Sequence, residues 1–182
     1  MKVLIIVDMQ NDFINGALGT KEAEAIVSKV ASRIENAERE LIIFTQDTHY
    51  ENYLSTTEGK KLPVPHCIEG TEGWQINEDV KNAWQGKKDK INIPNLPENT
   101  FIKNVFGSVG LVEFLKSRIA EIVEIEILGV CTDICVVSNA IMIKNTMPDV
   151  KISVNSDCCA GVTPQSHMEA LNVMKMCQID II

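Results

Sequence analysis

Two sets of residues in this chain have the types and placing that chemistry needs. The first is Asp8, Lys103 and Cys135. A thiol can attack a carbonyl, a carboxylate can take its proton, and an ammonium can hold the resulting thiolate. Cys135 ends the run Gly129-Val130-Cys131-Thr132-Asp133-Ile134-Cys135. Thr132 is placed to cap a helix there, which would put Cys135 in the first turn, where the helix dipole favours a thiolate. Cys131 is a second thiol, but it falls in the strand-to-helix turn, where backbone donors are of more use than a side chain. Taken singly, each residue has an ordinary structural use: a buried inert cysteine, an aspartate closing a turn, a solvated lysine.

The second set is Asp47, His49 and His66. In an extended segment, residues two apart project to the same side, so Asp47 and His49 can share one ion. A mixed carboxylate and imidazole set suits zinc, iron or manganese and leaves positions open for water or substrate. The spacing fits an Asp-capped turn with surface histidines equally well.

These residues are far apart in sequence, so other elements must bring them together. Short apolar, β-branched runs at 3–7, 41–45, 100–102, 124–128, 151–154 and 179–182 read as strands buried on both faces. Between them lie helical patterns: one over 21–37 capped by Thr20, one over 109–118 capped by Ser108, one from Thr132 to about 145, and a last one opened by Thr163 and Pro164. Alternating strand and helix predicts an α/β fold: a doubly wound, mostly parallel six-stranded sheet with helices on both faces. Ligands bind beyond the carboxyl ends of such strands. Asp8, the pair Asp47 and His49, Lys103, and the turn with Cys131 and Cys135 all follow strands. The interval 47–99 is too long for a simple crossover and carries four of the six prolines, which marks it as a metal and substrate loop region.

At 182 residues, with 45% apolar and 23% charged residues, the chain has the size and make-up of one globular domain spanning 1–182. A formal charge of −8 argues against nucleic acid and anionic membranes as partners. Asp8 stops the first apolar run after Val7, too early for a secretory or spanning segment. That predicts a cytoplasmic protein whose six cysteines are reduced.

The stretches Ile5-Ile6-Val7-Asp8-Met9-Gln10-Asn11-Asp12-Phe13, Thr45-Gln46-Asp47-Thr48-His49, Pro65-His66-Cys67-Ile68-Glu69-Gly70-Thr71, Lys103 and 129–135 resemble, in this order, the isochorismatase-like cysteine hydrolases, and within them the nicotinamidase/pyrazinamidase type. The resemblance covers essentially the whole chain. It implies Asp8, Lys103 and Cys135 as the catalytic trio and Asp47, His49 and His66 as ligands of a divalent metal, zinc before iron or manganese. It further implies a non-proline cis peptide at Val130–Cys131, with the backbone N–H groups of Cys131 and Cys135 as an oxyanion hole, Phe13 as a pocket aromatic, and a homo-oligomer. The implied activity is hydrolysis of nicotinamide to nicotinate and ammonia through a thioester on Cys135.

Two departures stand out. Many nicotinamidases carry a tryptophan shortly before the third metal ligand, whereas Lys61-Leu62-Pro63-Val64-Pro65-His66 has no aromatic. Tyr50, Tyr53 and Trp74 are the candidates to replace it. Glu58 resembles an additional acidic ligand of some members, or it is a solvated loop glutamate. The alternatives are another hydrolase of the family, acting on an N-carbamoyl compound, another small amide or an isochorismate-like ether, and a catalytically silent ligand-binding protein. The complete metal set favours nicotinamide, and the complete trio favours an enzyme.

Overall fold

The structure, a computed structural model, describes residues 1–38, 40–88 and 99–182. Strand β1 (Lys2–Val7) is buried from Val3 onward and lies between β2 (Glu40–Asp47) and β4 (Glu124–Val130). Adding β3 (Thr100–Lys103), β5 (Lys151–Ala160) and β6 (Asp180–Ile181) gives the order β3-β2-β1-β4-β5-β6. Every pairing is parallel, so the sheet expected to be mostly parallel is parallel throughout. All six apolar runs form strands. Several end further on than the apolar pattern suggests: β2 continues to Asp47, β3 to Lys103, and β5 to Ala160 across a register shift opposite Ile127 and Gly129.

Parallel strands need crossovers, and crossovers are right-handed. Steps from β1 to β2 to β3 therefore carry α2 (Lys21–Glu35) and α4 (Glu78–Lys88) on one face. The steps from β3 through β4 and β5 to β6 run the other way and carry α5 (Val109–Ser117), α6 (Val137–Thr146) and α7 (Pro164–Met176) on the opposite face. Packing agrees: α2 touches α4, and α6 touches both α5 and α7. The strand order reverses between β1 and β4, and the crevice at their carboxyl ends is where such sheets bind ligands.

Thr20, Ser108 and Thr163 cap as their sequences predict, accepting from the N–H groups of Ala23, Leu111 and Ser166. Thr132 does not cap. After β4 the chain makes one wide π-helical turn, Thr132–Val136, before α6 begins. The Thr132 hydroxyl is fully buried and pairs instead with His167 Nδ1 at 2.8 Å. Cys135 thus sits in a widened turn, a feature found often at functional sites. Within 47–99 the chain forms a 3-10 turn at Tyr53–Ser55, helix α3 (Thr57–Lys61) and α4; residues 89–98 lie outside the described part. The short helix α1 (Asn11–Ile14) follows β1.

Candidate active site

Parallel pairing brings Asp47 and Lys103 together directly, because they are register partners at the ends of β2 and β3. The Lys103 ammonium then meets three acceptors: Asp8 Oδ2 at 2.7 Å, Asp47 Oδ1 at 3.2 Å and Cys135 Sγ at 3.5 Å. The ammonium donates hydrogen bonds to Asp47 Oδ1 and Cys135 Sγ, while its contact with Asp8 Oδ2 is an ion pair without hydrogen-bond geometry. The other Asp8 oxygen accepts from Thr45 Oγ1 at 2.7 Å. Asp8 turns off β1 with a φ of 47°, and Asp8, Asp47, Lys103 and Cys135 are all buried. The peptide bond Val130–Cys131 is cis.

Burial governs the charges here. It raises the Asp8 carboxyl, with Asp47 adding and Lys103 opposing. It works against the Lys103 ammonium, but Asp8, the Cys135 sulfur and Asp47 raise that group well above an ordinary lysine. It pushes the Cys135 thiol well above its usual value, Asp8 pushing further while Lys103 pulls back. Full burial outweighs one nearby cation, so the thiol is held above its usual range beside the Asp8–Lys103 ion pair. Cys131 is likewise pushed up to about 12 by burial and by the charge of Asp133.

Asp47, His49 and His66 converge on the far side of Asp47. Gln10 clamps the Asp47 backbone at two points, accepting from its N–H at 2.7 Å and donating to its carbonyl at 2.8 Å. Asp47 Oδ2 lies 3.1 Å from His49 Nε2 and 3.7 Å from His66 Nε2. The short contact to His49 lacks hydrogen-bond geometry, so His49 Nε2 is a buried polar atom with no hydrogen-bond partner. His66 Nδ1 lies 2.9 Å from the Val64 carbonyl, which places the proton there and leaves the Nε2 lone pair facing the cluster. One ligand atom from each of the three residues falls within 4.8 Å of the others. A carboxylate and two inward-facing imidazole nitrogens, one of them orphaned, fit a divalent metal. Glu58, on α3, brings Oε1 to 3.7 Å from His49 Nε2 and 3.9 Å from His66 Nε2, so it stands beside the cluster and not out in solvent.

Both sets open onto one cavity of about 240 Å³ whose wall includes Phe13, Leu62, Phe106 and Ile134 with Asp47, His66 and Cys135. None of the three aromatics considered at sequence level lines it. Trp74 donates its indole N–H to Thr48 Oγ1 and faces a separate groove. Tyr53 packs its ring on His49 and His66 and donates to the Leu62 carbonyl, and Tyr50 faces an adjoining chamber. Leu62 and Phe106 occupy the wall instead. Nothing in the local sequence marks these two residues. Gln10 could have been found, as a polar residue just past a buried strand that needs a partner.

The geometry defines a class of protein: a parallel α/β fold with a buried thiol, ammonium and carboxylate at the switch point, beside a convergent carboxylate–imidazole set. The isochorismatase domain model matches residues 2–182, and the chain belongs to that family. It is 29% identical over 178 residues to an uncharacterised isochorismatase family protein of Bacillus subtilis, covering 94% of this chain and 92% of that one. The structure of a pyrazinamidase/nicotinamidase from Streptococcus mutans is 27% identical, with a TM-score of 0.82 and 100% of both chains covered. A pyrazinamidase of Pyrococcus horikoshii, solved in complex with zinc, is 26% identical, with a TM-score of 0.75 and coverage of 100% of this chain and 98% of that one.

Proposed function

We propose that this protein is a nicotinamidase-type amidase that hydrolyses nicotinamide to nicotinate and ammonia through a thioester on Cys135. The observation that carries the reading is the Lys103 ammonium, set between Asp8 Oδ2 and Cys135 Sγ, with Cys135 lining a small apolar cavity. The family and its relatives named as nicotinamidases and pyrazinamidases support amide hydrolysis.

In this mechanism the Cys135 proton passes to Asp8, whose raised carboxyl makes it a competent base, and Lys103 holds the thiolate. The sulfur adds to the amide carbon. The backbone N–H groups of Cys131 and Cys135 receive the oxyanion at the turn after β4. Protonated Asp8 gives its proton to the leaving nitrogen, and ammonia departs as the C–N bond breaks. Water then cleaves the thioester, returning the thiol and releasing the acid. Phe13, whose ring meets His66 edge-on with centroids 5.5 Å apart, offers a face for the pyridine ring. A divalent metal, zinc by preference, would be held by Asp47, His49 and His66 with Glu58 alongside, and would supply a Lewis acid that fixes the ring nitrogen or a bound water.

Ammonia release from nicotinamide by the purified protein, with and without a chelator, tests the reading. Release that chelation suppresses and zinc, iron or manganese restores supports it. Cys135→Ala should abolish turnover and leave the fold intact. Substantial residual hydrolysis in that variant would remove Cys135 from the mechanism.

A further inference from the structure

Beside the inner cavity lies a second one of about 670 Å³. Glu58, Leu62, Phe106 and Ile134 line both, so these four side chains form the partition between them. The carboxylate–imidazole cluster stands at the same junction: Asp47 and His66 line the inner cavity and His49 the outer. Two of the partition residues are partly exposed. Leu62, at the end of α3, is 37% exposed, and Phe106, on the segment between β3 and α5, is 49% exposed. The backbone under Phe106 is nevertheless pinned. Buried Asn139 donates to the Phe106 carbonyl at 3.3 Å and accepts from Ser108 N–H at 2.9 Å. The phenylalanine side chain thus stands half-exposed in the partition on an anchored backbone.

The position of this wall has a consequence for the substrate. A pyridine ring held in the inner cavity with its carboxamide at Cys135 has Leu62 and Phe106 among the residues of its wall. The wall towards the outer chamber is an aliphatic side chain and a half-exposed phenylalanine, with Glu58 and Ile134. We propose that the outer chamber is a second substrate subsite, and that the enzyme accepts aromatic carboxamides bearing a substituent or a fused ring on the edge remote from the carboxamide. Leu62, Phe106 and Ile134 give the chamber an apolar partition beside Glu58, while Asn52, Thr57, Asn104 and Lys61, which also line it, suit a polar tip. This proposal rests on the amidase reading above.

Quinoline-3-carboxamide, in which a benzo ring is fused to that edge of nicotinamide, is the probe. With metal-loaded protein, its kcat/KM should lie within about tenfold of that for nicotinamide, Leu62→Trp should lower the quinoline-to-nicotinamide ratio by about tenfold or more, and Phe106→Ala should raise it. Hydrolysis of nicotinamide with neither hydrolysis nor binding of the quinoline amide would overturn the subsite. Equal effects of Leu62→Trp on both amides would overturn it too. If neither amide releases ammonia, the amidase reading itself fails, and calorimetric titration then decides the chamber separately. Binding of quinoline-3-carboxamide that Leu62→Trp weakens supports the subsite; absent binding, or binding equal in both proteins, rejects it.

Discussion

At the residue scale, the site is ruled by desolvation. In the proposed mechanism Asp8 must be ionised to take a proton, and burial with Asp47 nearby holds its carboxyl above the ordinary range. The proposed activity should therefore be lost as pH falls through a raised value, earlier than for a solvated aspartate at about 3.9. A pH profile of kcat/KM should show its acid limb displaced upward, and Asp8→Asn should cost about 10²–10⁴ in turnover. An acid limb at or below the ordinary aspartate value would deny Asp8 the role of base. The sequence supplied Asp8, Lys103 and Cys135 through their places after predicted strands. It could not supply the state of the thiol, because that depends on how completely the surrounding elements exclude water. The same holds for Leu62 and Phe106, which meet across the cavity only after α3 and the segment following β3 have folded over it.

At the element scale, the junction of β1 and β4 sets the geometry. Gly129 pairs with Val7 at a φ of 121°, and a Cβ there would fall 2.1 Å from the Val7 carbonyl oxygen. Only glycine lets the two strands close at the switch point. Gly129→Ala should therefore destabilise by about 2–4 kcal/mol, read as a shift in the urea midpoint, since both strain and a backbone clash must be relieved. The π-helical turn that follows is tied down from α7 and from the segment leading into it. Thr132 bonds His167, and the Asp133 carboxylate accepts from the Val162 N–H. Thr132→Val keeps the shape but leaves His167 Nδ1 unpaired, at a cost of about 1–3 kcal/mol. Because this turn carries Cys135, kcat should fall while the protein remains folded at ambient temperature. An unchanged midpoint and unchanged kcat would show that the bond contributes nothing. The helix start at Thr132 was misread from sequence because a threonine beside a turn signals a cap, and no local pattern reveals a histidine 35 residues away.

At the scale of the whole molecule, the carboxylate–imidazole set joins the end of β2 to the segments that fold over it. A divalent ion that binds only the folded state stabilises it in proportion to the logarithm of its free concentration. Zinc should thus raise Tm, by roughly 2–4 °C for each kcal/mol of linkage in a chain of this size. His66→Ala should abolish most of the shift, and a chelator should reverse it in the wild-type protein. A thermal scan in which zinc shifts both proteins alike would place the ion elsewhere. Among the described residues no helix is long and apolar enough to cross a membrane.

The sequence by itself determined the α/β rhythm, because strands buried on both faces must be continuously apolar and the helices between them amphipathic. It also determined which chemical groups are available at the strand ends. Only the tertiary structure decided their relations. Parallel register set Asp47 beside Lys103, the reversal of strand order placed Asp8 near the turn of Cys135, and closure of the segment 50–76 over the sheet turned His66, Glu58 and Leu62 towards the same cavity. Distances of 3 Å between residues 30 to 100 positions apart are consequences of packing, and packing is a property of the whole chain that no local window contains.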